Sequence, residues 1–286
     1  MNSQPLEFQS ADALLTAPIS ADSPEKTTKE RSTSRSPQDA ILGAIGLVAL
    51  CIVWEIAPRL HWISAQFVPP FSVVVREAAG LCATGILFWH IAVSLSRVLF
   101  ALGCAIAIAV PLGLVLGGAL PKANRFFSPL LRLLAQINAF SLFPIFVLLL
   151  GIGESAKFAV LFWACVWPLL VSTTFGAHNT DPQLVRAARA MGCSTPQLLV
   201  KVLLPSALPT IFAGVRLGVN IGFIMLVAAE MIGAQSGLGW LVLNSTVNYL
   251  IPRLYVAAAT TALVGYLFEV VVGACERKLI PWQVRS

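Results

Sequence analysis

The chain has 286 residues, of which 57% are hydrophobic and only 11% charged, with a formal net charge of +6. Soluble domains carry about a quarter charged residues, so this composition excludes an ordinary soluble domain and points to a membrane protein. Six cysteines (Cys51, Cys82, Cys104, Cys165, Cys193 and Cys275) show no ligand spacing, which argues against both a disulfide framework and a zinc site.

Residues 1–39 are polar, rich in Ser, Thr and Pro, and mixed in charge. Such a segment cannot bury enough apolar surface to offset its ordering entropy, and a disordered cytoplasmic tail is expected there. No apolar core follows a basic start within the first 30 residues, so the tail is not a secretory signal. From residue 40 onward, six stretches approach the roughly 20 apolar residues needed to cross a bilayer: 41–58, 93–118, 129–152, 157–176, 208–233 and 254–275. The expected fold is therefore an all-α membrane protein of six transmembrane helices. With the N-terminus inside, thirteen Lys and Arg fall on inner segments and four (Arg59, Arg76, Lys157 and Arg253) on outer ones. This bias places both termini in the cytoplasm. On the outer side, the link 59–92 holds a short helix led by Pro69 and Pro70, and the link 236–253 dips partly into the membrane.

Between the fourth and fifth spans the pattern changes. Asp181–Pro182 is a helix start, with an N-cap and a proline at the first helical position. Leu184, Ala187, Ala188 and Met191 then recur at helical spacing, and Gly192 stands where a left-handed cap would end the helix. Thr195–Pro196 repeats the start signal, and Pro205 and Pro209 are expected to stop the second helix. Arg186, Arg189 and Lys201 are too few for a nucleic-acid footprint. An amphipathic pair lying on the inner leaflet and a docking element for a soluble protein both fit this pattern. The small face of Ala187, Ala188 and Ala190 favours docking, because membrane-surface helices carry Trp, Phe and Leu instead.

Ionisable groups inside spans are costly, at about 2.5–3.5 kcal/mol each on insertion scales, and so mark functional candidates. Arg97 and Glu269 lie near enough to span ends to snorkel. Arg216, Asn220 and Glu230 belong to the fifth span, where Gly214, Gly218 and Gly222 form a ridge suited to close packing. Arg216 and Asn220 project from the opposite side, toward a translocation route or, for Arg216, toward the inner surface or a neighbouring helix. Gln136, Asn138 and Ser141, with Arg132 and Pro144, give the third span a polar, kinkable character uncommon in lipid-facing helices. The segment 151–157 lacks the glycine, and Phe158 the hydroxyl, of a phosphate loop. His61, His90 and His178 lie too far apart in sequence for a metal site or a triad. There is no internal repeat, which argues against an inverted-repeat secondary transporter.

The inner segment resembles the cytoplasmic signature of permease subunits of ATP-binding-cassette importers: Glu-Ala-Ala, three residues, Gly, nine residues, Ile-x-Leu-Pro. Ala187, Ala188, Gly192, Val202, Leu204 and Pro205 occupy the matching positions, and Arg186 replaces the Glu. The stretches 148–158 and 227–242 are similar to the sulfonate, taurine, nitrate and bicarbonate branch of that family, and the resemblance runs from about Val68 to the C-terminus. It implies a type I importer permease in a bacterial inner membrane, with a coupling loop over about 181–205. Ala187, Ala188, Met191, Gly192 and Pro205 would serve contact with a cytoplasmic ATPase. The other partners implied are an extracytoplasmic solute-binding protein and a second copy of the chain. The permease would perform no chemistry and hold no cofactor or metal, ATP being bound by the ATPase. Its solute would be a small organic sulfonate or nitrate-like anion. The alternative is a non-transporting membrane scaffold that recruits a soluble protein through the same loop.

Overall fold

A computed structural model describes residues 37–60, 62–64 and 66–280, and every regular element among them is helical. The expected tail lies outside the described residues except for its last three, which open α1 (Pro37–Arg59). Residues Leu50–Ser286 form one compact unit, to which the packing below belongs. After α1 come α2 (Phe71–Ala83), α3 (Ile86–Leu114), α4 (Pro121–Gln136), α5 (Ala139–Leu150) and α6 (Glu154–His178). They are followed by α7 (Pro182–Ala190), α8 (Thr195–Leu198), α9 (Leu204–Met231), α10 (Leu238–Val247) and α11 (Ile251–Leu279). Among the described residues, four helices are long and apolar enough to cross a membrane: Ile86–Ala119, Glu154–His178, Thr195–Met231 and Ile251–Leu279. A fifth span results if α4 and α5 count as one. Each begins before its expected first residue, because hydropathy registers the apolar middle of a helix and not its polar ends.

Two expectations at helix breaks are corrected. The third span, 129–152, is not one helix: α4 and α5 meet at a bend of 86°. The bend falls at Ile137–Asn138 and not at Pro144, because the Asn138 side chain accepts a hydrogen bond from the Phe140 N–H at 2.9 Å and caps a new helix. Pro205 and Pro209 do not stop the helix after Gly192. The chain runs helically from Thr195 to Met231 through a π-helical turn at Leu199–Leu203. Pro205 sits in the first turn of α9, directly after the π turn, where the regular α-helical hydrogen-bond spacing is interrupted.

The core is a three-helix sandwich with α6 in the middle. Val98, Ala101, Leu102, Ala105 and Ala109 of α3 meet Val160, Leu161, Ala164 and Leu169 of α6. Val215, Val219, Phe223 and Leu226 of α9 close the other side. Lipid is as apolar as these side chains, so the association depends on close packing rather than on expulsion of water. The glycine ridge of α9 supplies that closeness. A Cβ at Gly214 would stand 2.7 Å from Ser172 Cβ and 3.2 Å from Leu169 Cα, and one at Gly218 3.3 Å from the Cys165 carbonyl oxygen. Gly214→Val must therefore separate the two backbones, at about 1–3 kcal/mol or more. The thermal unfolding midpoint in detergent is expected to fall for Gly214→Val and to stay close to the parent for Gly265→Ala, whose new Cβ lies 3.7 Å from Phe223.

A second cluster joins α2, α10 and α11 to the start of α3 through Val74, Leu81, Leu87, Leu241, Val256 and Ala257. The expected proline-led helix in the first outer link is α2, and the apolar part of the second link is α10.

Candidate functional site

The ionisable residues of the spans are mostly paired with one another. Arg97 is not at a snorkelling position: its side chain is 11% exposed and lies between two carboxylates. Its Nε and Nη2 donate to Glu154 at 2.7 Å each, and its Nη1 donates to Glu230 Oε1 at 2.7 Å and to the Ser236 carbonyl at 2.8 Å. Lys157, expected on an outer segment, is buried and donates to Glu154 at 2.8 Å. Glu230 is fully buried. Beyond Arg97, it accepts from the Ser94 hydroxyl at 2.8 and 2.9 Å and from the Gly239 N–H at 2.8 Å.

This cluster also builds the start of α10. The Gly237 N–H donates to His90 Nδ1 at 3.0 Å, and the Leu238 N–H donates to the Ser94 hydroxyl at 2.8 Å. Three N–H groups at the start of α10 thus find acceptors on α3 and α9, with a carboxylate at the positive end of the helix dipole. Gly237 adopts φ of +121°, and a Cβ there would collide with the Glu230 carboxylate, so glycine is required on both counts. Glu230 therefore serves as a tertiary helix cap and ion-pair partner. Ser94, Glu154 and Lys157 were not expected in this cluster. The signal that could have found them was the opposite charge of Arg97 and Glu230, both too costly in a span to stand alone.

The remaining route candidates fall into separate groups. Arg216 pairs with Glu276 of α11, while its Nε is buried without a partner. Asn220 is exposed and lines a groove of about 440 Å³ with Thr261, Tyr266 and Glu269 of α11. Gln136, Asn138 and Ser141 are exposed around the α4–α5 bend. Arg216 and Glu230 stand 14 residues apart on one helix, roughly 21 Å along its axis, so they belong to different levels of the molecule. Among the described residues, no hydrogen bond or ion pair joins these groups.

At the inner loop, Asp181 caps α7 by accepting from the Gln183 N–H at 2.8 Å, and Gly192 takes φ of +78° just after the helix. The Ser194 N–H donates to Gln197 Oε1 at 3.0 Å in a capping box that starts α8. The apolar residues of α7 divide between two faces. Val185 and Ala188 pack into the core, whereas Leu184 (53% exposed), Ala187 and Met191 (78% exposed) point away from it. Arg186 Nε reaches only the Pro182 carbonyl, at 3.3 Å. Pro205 is half-buried, 13 residues beyond Gly192 in the helix that continues into α9. Among the described residues, no group of three His, Cys, Asp or Glu is placed to hold a metal ion.

Residues 109–281 match the family described as "Binding-protein-dependent transport system inner membrane component". The chain is 32% identical over 242 residues to the taurine transport system permease protein TauC of Escherichia coli (strain K12), covering 82% of this chain and 87% of that protein. It is 32% identical over 239 residues to the putative aliphatic sulfonates transport permease protein SsuC of the same organism, covering 83% and 89%. The nitrate import permease protein NrtB of Synechocystis sp. is 27% identical over 188 residues, with 66% and 68% covered. Among solved structures, an inward-facing conformation of the MetNI methionine ABC transporter superposes with a TM-score of 0.59 at 20% identity, over 68% of this chain and 96% of that chain. That likeness bears on the fold alone.

Proposed function

Because the chain belongs to the binding-protein-dependent transport system inner membrane components, a family of non-enzymatic ABC importer permeases, we propose that α7 is the element through which a cytoplasmic ATPase drives it. The observation that carries this is the exposed stripe of Leu184, Ala187 and Met191, held on a helix whose other face is locked into the core by Val185 and Ala188. A helix in that position transmits force. A partner pressing on its outer face pushes on α8 and the π turn that runs on into α9, against which it packs, so closure of the ATPase becomes a rigid-body shift of the spans. Met191 supplies an adaptable apolar anchor, and Gly192 lets the chain turn back at once. The Arg186 guanidinium, where the resembled signature has Glu, faces solvent beside this stripe and favours an acidic rim on the partner.

In this assembly the chain acts as a homodimer with two ATPases and an extracytoplasmic solute-binding protein, in the inner membrane with both termini cytoplasmic. ATP is bound by the partner. Taurine, or a similar small organic sulfonate, is the favoured solute, since the permeases of taurine and aliphatic sulfonates match more of the chain than the nitrate permease does. The route runs along the polar faces of α9 and the α4–α5 bend, where Asn220, Gln136, Asn138 and Ser141 are open.

The test is affinity purification of the tagged chain from its own host in mild detergent, with Gly192→Pro alongside. An ATPase subunit is expected with the parent and not with an equally abundant variant. Purification without any ATPase, under conditions that keep the membrane complex intact, overturns the proposal and leaves the scaffold.

A further inference from the structure

A cavity of about 420 Å³ lies between α4 and the C-terminal end of α6, a few residues before α7. Asn124, Ser128 and Arg132 line it from α4, and Thr174, His178 and Asn179 from α6 and its cap. We propose that this cavity is a binding site for a tetrahedral oxyanion, a phosphate, sulfate or sulfonate group, held on the Arg132 guanidinium.

Three observations carry the proposal. The lining holds one permanent cation, five other polar side chains, and no carboxylate. Arg97, Arg216 and Arg253 each lie against a carboxylate, whereas Arg132 makes no ion pair among the described residues. Secondly, none of the six polar side chains forms a hydrogen bond to another described residue, and the Thr174 hydroxyl is buried without a partner. Arg132, His178 and Asn179 are exposed and Asn124 and Ser128 half-buried, so these groups converge on an open cavity where a ligand can replace water. Thirdly, α4 turns its polar side inward by choice of sequence. Phe126 (78% exposed), Leu130 (50%) and Leu133 (68%) stand at i, i+4 and i+7 on its outer face. Asn124, Ser128 and Arg132 follow one another at intervals of four on a different face. An apolar stripe outside and a polar one inside is the reverse of a water-soluble helix. It suits a helix lying in the membrane interface with its polar side over a pocket.

The ligand class follows from the donors. A guanidinium offers two parallel N–H groups to an oxyanion, and the amides and hydroxyls around it can serve the remaining oxygens. A bound oxyanion would tie α4 to α6 beside the first residues of α7. The same chemistry is presented by an anionic lipid headgroup and by a free anion in the cytoplasm. The site's position at the interface brings it within reach of both.

The experiment places the full chain in nanodiscs and measures the unfolding midpoint in two arms. In the first, the discs contain phosphatidylcholine only, and sodium sulfate or phosphate is titrated against sodium chloride of equal ionic strength. In the second, phosphatidylglycerol replaces part of the phosphatidylcholine and no oxyanion is added. Sulfate and phosphate stabilise proteins generally by exclusion, so the readout is the difference between the parent and Arg132→Ala. A midpoint that rises with the logarithm of oxyanion concentration in the parent, and not in the variant, identifies a free anion as the ligand. A rise only with phosphatidylglycerol, lost in the variant, identifies the lipid headgroup. Equal responses of parent and variant in both arms, or none in either, overturn the proposal. Arg132 is exposed and unpaired, so its removal is not expected to unfold the chain. Asn124→Ala with Ser128→Ala provides an independent variant that must weaken the same response.

Discussion

Glu230→Ala is expected to cost about 3–5 kcal/mol, because it removes one partner of a buried ion pair and leaves the Arg97 guanidinium half-paired. The loss extends beyond the pair. The Gly239 N–H and the Ser94 hydroxyl would also lose an acceptor, and with them the cap that starts α10. Glu154 remains to hold the other edge of the guanidinium, but its side chain is 65% exposed and its grip is weakened by water. Arg97→Ala is expected to cost more than removal of Glu154, since it strands a fully buried carboxylate. Glu230→Gln keeps the shape and one acceptor oxygen and should fall between the parent and Glu230→Ala. The measurement is the unfolding midpoint of each variant in one detergent, with membrane abundance alongside. Parent-like midpoints for both Arg97→Ala and Glu230→Ala would show that the cluster is well solvated and not the clamp its geometry describes.

That clamp illustrates which features the sequence exposed and which it hid. Helices and their order were legible because runs such as 254–275 are apolar for longer than any soluble element. The glycine ridge was legible because Gly214, Gly218 and Gly222 repeat at four residues, so close packing on that face of α9 could be expected, though not that α6 would be the partner. The α7 segment was legible from its caps, since Asp181–Pro182 and Gly192 act locally. The partners of Arg97 were not. Glu154 and Glu230 lie 57 and 133 residues away, and only the tertiary fold brings three helices to one point. The same limit hid the split of α7 into two faces. Leu184, Ala187, Ala188 and Met191 form one stripe by periodicity, and burial alone reveals that Ala188 faces inward while its neighbours do not. The third span was read as one kinkable helix because its apolar run continues past Asn138, whereas the cap at Asn138 starts a new helix there.

Met191→Glu is expected to abolish uptake while leaving the fold intact. The Met191 side chain is 78% exposed, so the substitution should change stability by no more than about 0.5 kcal/mol. In the assembled importer the same side chain is expected to be covered by the ATPase. Burying an unpaired carboxylate at an apolar anchor costs about 2 kcal/mol or more, which weakens association roughly thirtyfold. Met191→Leu conserves volume and apolarity and should retain most of the activity. Two quantities distinguish the outcomes at equal membrane abundance: the initial rate of labelled taurine uptake, and the amount of ATPase recovered with the tagged chain. Loss of both in Met191→Glu, and of neither in Met191→Leu, locates the coupling contact on the outer face of α7. Loss of uptake with full ATPase recovery moves the role of Met191 from docking to force transmission, since the partner is then bound but no longer drives the spans. Full uptake by Met191→Glu would remove α7 from the interface. The exposed stripe would then have to be explained by the inner leaflet, where the small side chain of Ala187 and a short, sharply turned helix offer little for lipid to hold.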